Sequence, residues 1–160
     1  MTNAASADPN RIAGLSALVA LTGQELGVSD WVMVDQARIQ AFADATGDHQ
    51  WIHLDVARAA AESPYKTTVA HGFLTLSLLP MLAGQAFKVE GVKATINYGL
   101  NRVRFPAPAP ADRRVRGRFR LLGVEDQGDG RYLATVAATV EVEGQERPAC
   151  VAESLRVYVV

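Results

Sequence analysis

The sequence predicts one domain of the α+β class, in which helices come first and a run of antiparallel strands follows. Apolar residues recur at helical spacing in the first half of the chain, whereas Val, Leu, Tyr and Thr with period-two alternation dominate beyond Gly91. The chain has 160 residues, of which 49% are hydrophobic, so there is material for one core. We therefore expect a hydrophobic helix packed against one antiparallel sheet.

The N-terminal 23 residues are predicted to be an extension of this domain, which itself spans residues 24–160. The extension begins with small and polar residues, so it is expected to be partly disordered, and residues 11–22 are expected to form a short helix. It lacks the basic leader and the small-residue cleavage site of a signal peptide.

A strand is predicted over residues 30–34, and the ends of the helix that follows it are marked in the sequence. Asp35 is a good N-cap because its carboxylate can accept a hydrogen bond from an unpaired backbone N–H. Gly47 is well placed to end the helix because glycine adopts the left-handed conformation without strain. The segment after Gly47 is therefore expected to be a loop held by a rigid element.

Two further helices are predicted before the strands begin. Residues 55–62 are expected to form a short helix, with Asp55 as its N-cap. Residues 73–87 are apolar on nearly all sides, so a helix there would be buried, and Pro80 is expected to bend it or to set its boundaries.

The second half of the chain predicts strands that are joined by short turns. Turn residues cluster at 126–130 and 143–146, so the later strands are expected to form consecutive antiparallel hairpins. Prolines alternate with alanines over residues 106–110, which predicts a loop. The predicted strands are residues 92–100, 101–105, 113–125, 131–143 and 148–160.

The composition excludes several classes of protein. No apolar run approaches the roughly 18 to 20 residues of a membrane span. The net charge is −1, and the arginines between residues 102 and 120 alternate as on a solvated sheet face, not as on a nucleic-acid surface. Cys150 is the only cysteine, and its apolar surroundings indicate a buried structural thiol. These features are typical of a cytoplasmic protein that binds neither membranes nor nucleic acids.

The three histidines of the chain all lie between residues 49 and 71. Asp48 and His53 are five positions apart and can converge on one small volume, where an imidazole and a carboxylate could together activate a water molecule. Taken singly, Asp48 can be a turn residue and His53 a partly buried structural histidine. Their pairing, and the absence of histidine elsewhere, favour a catalytic role.

His71 and Gly72 immediately precede the predicted buried helix. The first N–H groups of a helix lack partners, and Gly72 has no side chain, so a ligand oxygen could approach its N–H as in an oxyanion hole. The residues alone leave open whether Gly72 instead only permits a tight turn. His71 is expected to orient the loop.

A metal site is an alternative for this window, because Asp48, His49, His53 and His71 are all potential ligands. Gly47 indicates that the helix has ended before the two nearest histidines, and the glutamate of a zinc-protease motif is missing. We therefore expect no metal.

The residues of this window resemble a known family. The segments FADATGDHQWIHLD and TTVAHGFLTLSLLPML are similar to those of the MaoC-like dehydratases of the hot-dog fold. The branch they resemble is named after nodulation protein N and includes (R)-specific enoyl-CoA hydratases. The segments INYGLNRVRFPAPAP and ACVAESLRVYV extend the resemblance over nearly the whole chain beyond residue 24.

The resemblance implies a fold, a reaction and a set of site residues. An antiparallel sheet would wrap around the helix at 73–87, and two copies would form a homodimer with a continuous sheet. The reaction would be the reversible addition of water to a trans-2-enoyl-CoA, giving an (R)-3-hydroxyacyl-CoA, with no dissociable cofactor because CoA is part of the substrate. The family's catalytic aspartate and histidine fall on Asp48 and His53. The glycine whose N–H binds the thioester oxygen falls on Gly72.

The sequence departs from the family pattern at a few positions. The common Asn-Pro of the loop is Gln50-Trp51 here, so Gln50 is expected to pin the loop through its amide and Trp51 to shape the pocket. A helical serine of some hydratases falls on Pro80, which leaves the preferred substrate length open. The candidates for lining the acyl tunnel are Phe73, Leu74 and Leu76. The candidates for binding the CoA phosphates are Lys93, Arg102 and Arg104.

Two rival functions remain on the same fold. A hot-dog acyl-CoA thioesterase would also use a carboxylate and a water molecule near the start of a helix, and a non-catalytic acyl-CoA-binding protein would need neither. His53, together with the AHG sequence at residues 70–72, favours the hydratase over the thioesterase. The pair of Asp48 and His53 argues against a protein that only binds.

Overall fold

Residues 9–160, which the computed structural model describes, form eight strands and six helices. The helices are α1 (Gly14–Ala20), α2 (Gln36–Thr46), α3 (Trp51–Leu54), α4 (Val56–Glu62), α5 (Gly72–Ser77) and α6 (Leu79–Ala86). The strands are β1 (Asn10–Ile12), β2 (Glu25–Val28), β3 (Val32–Val34), β4 (Phe87–Val89), β5 (Ala94–Arg104), β6 (Arg113–Gly128), β7 (Arg131–Val142) and β8 (Cys150–Val159).

The main sheet has the strand order β2-β6-β7-β8-β5, and β3 also pairs with β6. The predicted hairpins are present, because β6 and β7, and β7 and β8, are antiparallel neighbours. The strands predicted at 92–100 and 101–105 are one strand, β5, which pairs with β8 and not with its neighbour in sequence. Pairing with β8 continues across the boundary between the two predicted segments, from Leu100 to Asn101, and the strand has one bulge on each side of it.

The helix predicted at residues 73–87 is present as α5 and α6, which are separated at Leu78. Pro80 is the second residue of α6 and has no N–H to donate to the preceding turn, so it marks this break as expected. One face of α6 packs on the inner face of β6. The buried side chains at this contact include Leu82, Ala83, Val115, Phe119 and Leu121.

The helix expected within residues 11–22 is α1, and it packs on the domain. Leu18 is fully buried and Ile12 nearly so, and both belong to the main hydrophobic core. The expectation of partial disorder concerns in part residues 1–8, which lie outside the described residues. The domain boundary at residue 24 stays a prediction.

The outer face of the sheet carries the arginines of β6, and acidic partners neutralise them. Arg114 pairs with Glu143, and Arg116 and Arg118 both pair with Glu141. These cations are therefore engaged on a solvated sheet face, as the alternation predicted.

Cys150 is buried at the start of β8, which confirms the prediction of a buried thiol. Burial raises the pKa of this thiol to about 11, so the unreactive protonated form prevails at neutral pH. Within residues 9–160, no helix is both long and apolar enough to cross a membrane.

Candidate active site

The end of helix α2 positions Asp48. Asp35 caps the start of the helix by accepting a hydrogen bond from the Arg38 N–H at 2.8 Å. Gly47 ends it in the left-handed conformation, with φ of 81°, as the sequence predicts. Asp48 is the next residue, and its side chain is 55% exposed. A carboxylate is thus held at the mouth of the site by a helix with both ends defined.

His53 lies on the single helical turn α3, not in a loop as the sequence analysis expected. The turn forms because the His53 N–H donates to the Gln50 carbonyl and the Asp55 N–H donates to the Trp51 carbonyl. Asp55 then caps α4 by accepting from the Arg58 N–H at 2.9 Å, as predicted. Short helices with tight junctions therefore place His53, and this gives its ring less freedom than a loop would.

The structure brings Asp48, His53 and His71 together. One polar atom from each side chain, an oxygen of the carboxylate or a nitrogen of each imidazole, lies within 4.8 Å of the other two. Asp48 is exposed, His53 is partly buried, and His71 is 2% exposed. The convergence predicted for Asp48 and His53 is present, and His71 forms the floor beneath them.

Hydrogen bonds determine which nitrogen of each ring is protonated. His53 Nδ1 lies 2.7 Å from the Val69 carbonyl, which can only accept, so Nδ1 carries the proton and Nε2 keeps its lone pair. His71 Nε2 lies 2.9 Å from the backbone carbonyl of Asp48 and must donate to it. His71 therefore holds the Asp48 loop, whereas His53 presents a proton acceptor.

The rings of His53 and His71 stack with their centroids 3.8 Å apart. Partial burial is the main cause that lowers the pKa of His53, and repulsion from the imidazole of His71 adds to it. The hydrogen bond to Val69 and the charge of Asp48 act in the opposite direction but do not outweigh burial. His53 is consequently neutral at neutral pH, which is the form that can accept a proton.

The stacking disfavours the metal alternative. A metal ion binds an imidazole nitrogen in the plane of the ring at about 2.0 Å. With the two rings nearly parallel, an ion in the plane of one ring lies well outside the plane of the other. His49, the fourth candidate ligand, turns away and pairs with Asp44 at 2.9 Å.

Gln36 is a residue of this site that the sequence analysis missed. Its amide nitrogen donates to the His53 carbonyl at 2.7 Å, and its amide oxygen accepts from the Thr68 hydroxyl at 2.6 Å. Thr68 is buried and precedes Val69, which accepts the hydrogen bond from the His53 ring. Gln36 thus joins the two chain segments that orient His53. Its position at the start of an amphipathic helix carries no signal of this role.

Gly72 is the first residue of α5, and an aromatic ring covers the space where a side chain would lie. A Cβ at Gly72 would be 2.9 Å from the ring of Phe105. Phe105 in turn packs against Phe73, whose side chain is 67% exposed. The close approach of Phe105 is therefore one reason for glycine here, beside the oxyanion role that the sequence analysis proposed.

Gln50 contacts the loop differently from what was expected, whereas the role of Trp51 in shaping the pocket stays a prediction. The loop contacts of Gln50 come from its backbone, which donates weakly to the Asp48 carboxylate at 3.4 Å and accepts from the His53 N–H. Trp51 is partly buried, and the guanidinium of Arg58 stacks over its ring at 4.2 Å. Both residues lie beside Asp48 and His53 in the sequence.

A cavity of about 310 Å³ lies between the α5–α6 helices and strands β5 and β8. Of the three residues proposed to line an acyl tunnel, Leu76 lines this cavity, Leu74 is buried in the core, and Phe73 is on the outside. The other lining residues include Ser77, Leu79, Pro80, Tyr98, Leu100, Ser154 and Arg156.

The three cations proposed for the CoA phosphates do not come together in one chain. Lys93 precedes β5, and its side of the molecule carries a larger cavity of about 560 Å³. Arg102 and Arg104 lie at the other end of the strand, and the nine residues from Lys93 to Arg102 span about 30 Å of extended chain. Arg102 also pairs with Glu153 at 3.5 Å. A phosphate group could thus contact one end of β5, but not both.

Comparisons with known proteins agree with the fold described above. The protein-family model described as "MaoC like domain" matches residues 18–146. The chain is 60% identical over 142 residues to 3-hydroxyacyl-thioester dehydratase Z of Mycobacterium tuberculosis, covering 89% of this chain and 93% of that protein. It is 50% identical over 131 residues to nodulation protein N of Rhizobium leguminosarum, covering 81% of each.

Among solved structures, the chain is similar to the (R)-hydratase from A. caviae that is involved in PHA biosynthesis. The TM-score is 0.69 at 24% sequence identity, over 84% of this chain and 94% of that one. An R-hydratase from Pseudomonas aeruginosa, PhaJ1, aligns with a TM-score of 0.67 at 23% identity, over 86% of this chain and 81% of that one. At these identities the similarity concerns the fold.

Proposed function

The chain belongs to the MaoC-like dehydratase family, and on that premise we propose that it catalyses the reversible addition of water to a trans-2-enoyl-CoA. The chain is a hydro-lyase with the hot-dog fold, as the resemblance implied. The proposed product of hydration is an (R)-3-hydroxyacyl-CoA. The observation that supports this proposal best is the free Nε2 of a neutral His53 beside the exposed carboxylate of Asp48.

His53 is the proton carrier in this proposal. In the hydration direction, Nε2 takes a proton from the water molecule as its oxygen forms a bond to C3 of the substrate. The electrons of the C2–C3 double bond move to the thioester, which becomes an enolate. His53 then returns the proton to C2, so that one H and one OH have been added and the enzyme is unchanged. Dehydration follows the same steps in reverse.

Asp48 holds the reacting water in this proposal. Its carboxylate accepts a hydrogen bond from the water and fixes the oxygen on one face of the double bond, which would set the (R) configuration. The hydrogen bond from His71 to the Asp48 backbone supports this role, because it ties the loop that carries the carboxylate to a buried ring.

Gly72 supplies the third element, stabilisation of the enolate oxygen. The first N–H groups of α5 have no partner within the helix, so the Gly72 N–H is available to the thioester oxygen. Loss of one such donor costs about 3 to 4 kcal/mol of transition-state stabilisation in enzymes that use an oxyanion hole. The close packing of Phe105 leaves little room for any side chain at this position.

We also propose that the active molecule is a homodimer. Strand β5 is at the edge of the sheet and pairs on one side only, with β8. Its apolar side chains Ile96, Tyr98 and Leu100 are between 40% and 65% exposed. An exposed edge strand with apolar side chains favours association.

The test is a direct assay of the purified protein with trans-2-enoyl-CoA substrates, beginning with crotonyl-CoA. Hydration is followed as loss of absorbance of the conjugated thioester. Coupling to (R)-specific and (S)-specific 3-hydroxyacyl-CoA dehydrogenases identifies the product. Loss of absorbance with an (R) product and no free thiol is expected. Release of thiol would support a thioesterase instead, and tight binding without turnover at any chain length would support a binding protein.

Variants of the two proposed catalytic residues test their roles. Asp48→Asn and His53→Ala are each expected to lower kcat by two orders of magnitude or more, and the double variant should be little worse than the worse single one, because both act on one water molecule. Matched controls are Asp44→Asn and His49→Ala, since these side chains pair with each other nearby on the surface. Near-normal turnover of either catalytic variant would refute the proposal.

A further inference from the structure

Arg156 places a positive charge on the inner face of the sheet. Its side chain is on the same face of β8 as the alternate residues Cys150, Ala152, Ser154 and Tyr158. These residues face the helical layer and are buried. Arg156 itself is 8% exposed, and its guanidinium lies 5.4 Å from the ring centre of Phe87. Neighbouring arginines of the sheet lie on the outer face and pair with glutamates, so this inward arginine is a departure from the pattern.

The charge of Arg156 has no counter-ion among residues 9–160. None of the ion pairs in that part of the chain includes it, and its Nε is buried without a hydrogen-bond partner. The guanidinium does donate to the Tyr158 hydroxyl, but burial raises the pKa of Tyr158, so this partner is neutral at neutral pH and leaves the charge uncompensated. A guanidinium remains protonated in proteins, so it cannot relieve its burial by losing the charge. Burial of an unpaired charge is costly, and a ligand anion at this position would offset that cost.

The cavity of about 310 Å³ between the helices and strands β5 and β8 adjoins the cavity of about 560 Å³ at Pro80 and Arg156, which line both, so the guanidinium lies between the two. Leu76 and Leu79 on the helical side and Tyr98 and Leu100 on β5 give it apolar walls, and Arg156 lines it at β8. A tunnel with apolar walls fits a hydrocarbon chain, whereas a guanidinium within it fits a carboxylate.

The cavity begins close to the proposed reaction centre. Leu76 is four residues after Gly72, so the two lie on the same face of α5, one turn apart. Pro80, which also lines the cavity, is a further turn along the helical segment, about 12 Å from Gly72 at 1.5 Å per residue. Arg156 lines the same cavity as Pro80, so we expect an acyl chain whose thioester oxygen is held at Gly72 to reach Arg156 when the chain is of medium length.

We propose that this cavity binds the distal part of the acyl chain and that Arg156 pairs with a carboxylate at its end. This inference rests on the proposed hydratase function and adds the substrate class, an enoyl thioester with an acidic terminus. A methyl-terminated acyl chain of the same length would bury the guanidinium further without supplying a counter-ion. Binding of such a chain is therefore disfavoured. A short acyl chain such as crotonyl does not reach Arg156, so its binding and turnover do not depend on this residue.

The test compares two medium-chain trans-2-enoyl-CoAs of equal length, one ending in a carboxylate and one in a methyl group. A charge-assisted hydrogen bond contributes enough that kcat/KM of the native protein should favour the carboxylate-ended substrate about 10- to 100-fold. Because only a chain that spans the distance to Arg156 can pair with it, the preference should decline as both chains are shortened together. Equal values for the two substrates, or a preference for the methyl-ended one, would overturn the inference.

Variants show whether Arg156 causes the preference. Arg156→Met keeps the length of the side chain and removes the charge, so the preference should fall to about one or reverse. Arg156→Lys keeps a positive charge and should retain part of the preference for the carboxylate-ended substrate. The matched control is Arg131→Met, an exposed position on the neighbouring strand β7, which should leave the preference and the activity unchanged. If Arg156→Met still prefers the carboxylate-ended substrate, Arg156 is not the cause of the preference and the inference is overturned. If Arg156→Met does not fold, the comparison of the two substrates with the native protein tests the inference.

Turnover of crotonyl-CoA separates this inference from the function on which it rests. If crotonyl-CoA is hydrated and the medium-chain pair shows no preference, the acidic-terminus inference fails and the hydratase stands. If no enoyl-CoA is hydrated, both fail.

Discussion

The chemistry proposed for His53 depends on which of its two nitrogens is occupied. The Val69 carbonyl accepts from Nδ1, so Nε2 keeps its lone pair, while the stacked ring of His71 uses its own N–H to hold the Asp48 backbone. Two histidines of the same chemical type thus have different tasks because different backbone carbonyls are within their reach. The roles follow from hydrogen-bond partners, not from residue type.

The pH dependence of the rate tests the assignment of His53 as the base. Burial, aided by His71, lowers the pKa of His53 from its ordinary value of 6.5. Because the neutral form accepts the proton, kcat/KM should be constant at neutral pH, fall as the pH drops, and show its inflection below 6.5. The measurement is kcat/KM against pH for the native protein and for His49→Gln. The pKa of His49 is raised by Asp44, so an inflection above 6.5 that disappears in His49→Gln would contradict the assignment.

Gln36 is expected to act as a positioning residue. Gln36→Ala removes the hydrogen bonds to the His53 carbonyl and to the Thr68 hydroxyl and should lower kcat about tenfold, equivalent to about 1.4 kcal/mol, with little change in KM. Gln36→Glu should be as slow, because a carboxylate cannot donate to the His53 carbonyl.

The control for this prediction is Gln40→Ala on the same helix, because the Gln40 amide donates to Asp44 on the surface. Steady-state kinetics of the three variants, with thermal unfolding as a check on folding, measure the effect. If Gln36→Glu keeps the native kcat, the hydrogen bond from Gln36 to the His53 carbonyl does not contribute to turnover, and the positioning role is wrong.

At the scale of secondary-structure elements, the fold depends on how closely β2 and α6 approach. Gly27 on β2 lies against the last turn of α6, where a Cβ would be 2.2 Å from the carbonyl oxygen of Ala86. Two backbones in such contact leave no space for any side chain, so the crossing of these elements requires glycine.

Substitution of Gly27 is expected to destabilise the fold strongly. Gly27→Ala should lower the free energy of unfolding by about 3 kcal/mol or more, because the atoms that must move belong to the backbone of α6. Gly123→Ala on β6 is the matched control, since a Cβ there meets no atom within 4 Å, and it should be close to neutral. Urea unfolding of both variants decides the matter, and equal midpoints would show that α6 can shift to accommodate the methyl group.

At the scale of the whole molecule, the edge of the sheet is the feature that a single chain leaves incomplete. All residues of β5 except one are exposed, although the strand is long and carries the apolar side chains Ile96, Tyr98 and Leu100. Tyr98 and Leu100 also line the proposed acyl cavity, so a second copy placed along β5 would cover that cavity as well.

Ile96→Glu is expected to separate the proposed dimer into monomers. In a twofold interface each substitution occurs twice on the same surface, so two like charges would face the shared apolar contact. In sedimentation equilibrium the native protein should have twice the chain mass of 17.2 kDa. The Ile96→Glu variant should have the mass of a single chain. Val19→Glu, which places the same charge on the exposed side of α1, should remain dimeric. A monomeric native protein would contradict the proposal.

The sequence by itself determined the α+β class, the caps Asp35 and Gly47, the helical segment broken near Pro80, and the pairing of Asp48 with His53. These features are local, because helix caps, alternation and a five-residue spacing are properties of neighbouring residues. The resemblance to the family assigned Gly72 the oxyanion role that the residues alone had left open. Such information extends over a few turns of chain at most.

The tertiary structure alone decided which distant segments meet. It placed β5 beside β8, stacked His71 on His53, joined Gln36 to Thr68, and turned Arg156 inward. Each of these contacts joins residues 18 or more positions apart or depends on which face of a strand is covered. Strand order and burial follow from packing of the whole chain, and no local pattern encodes them.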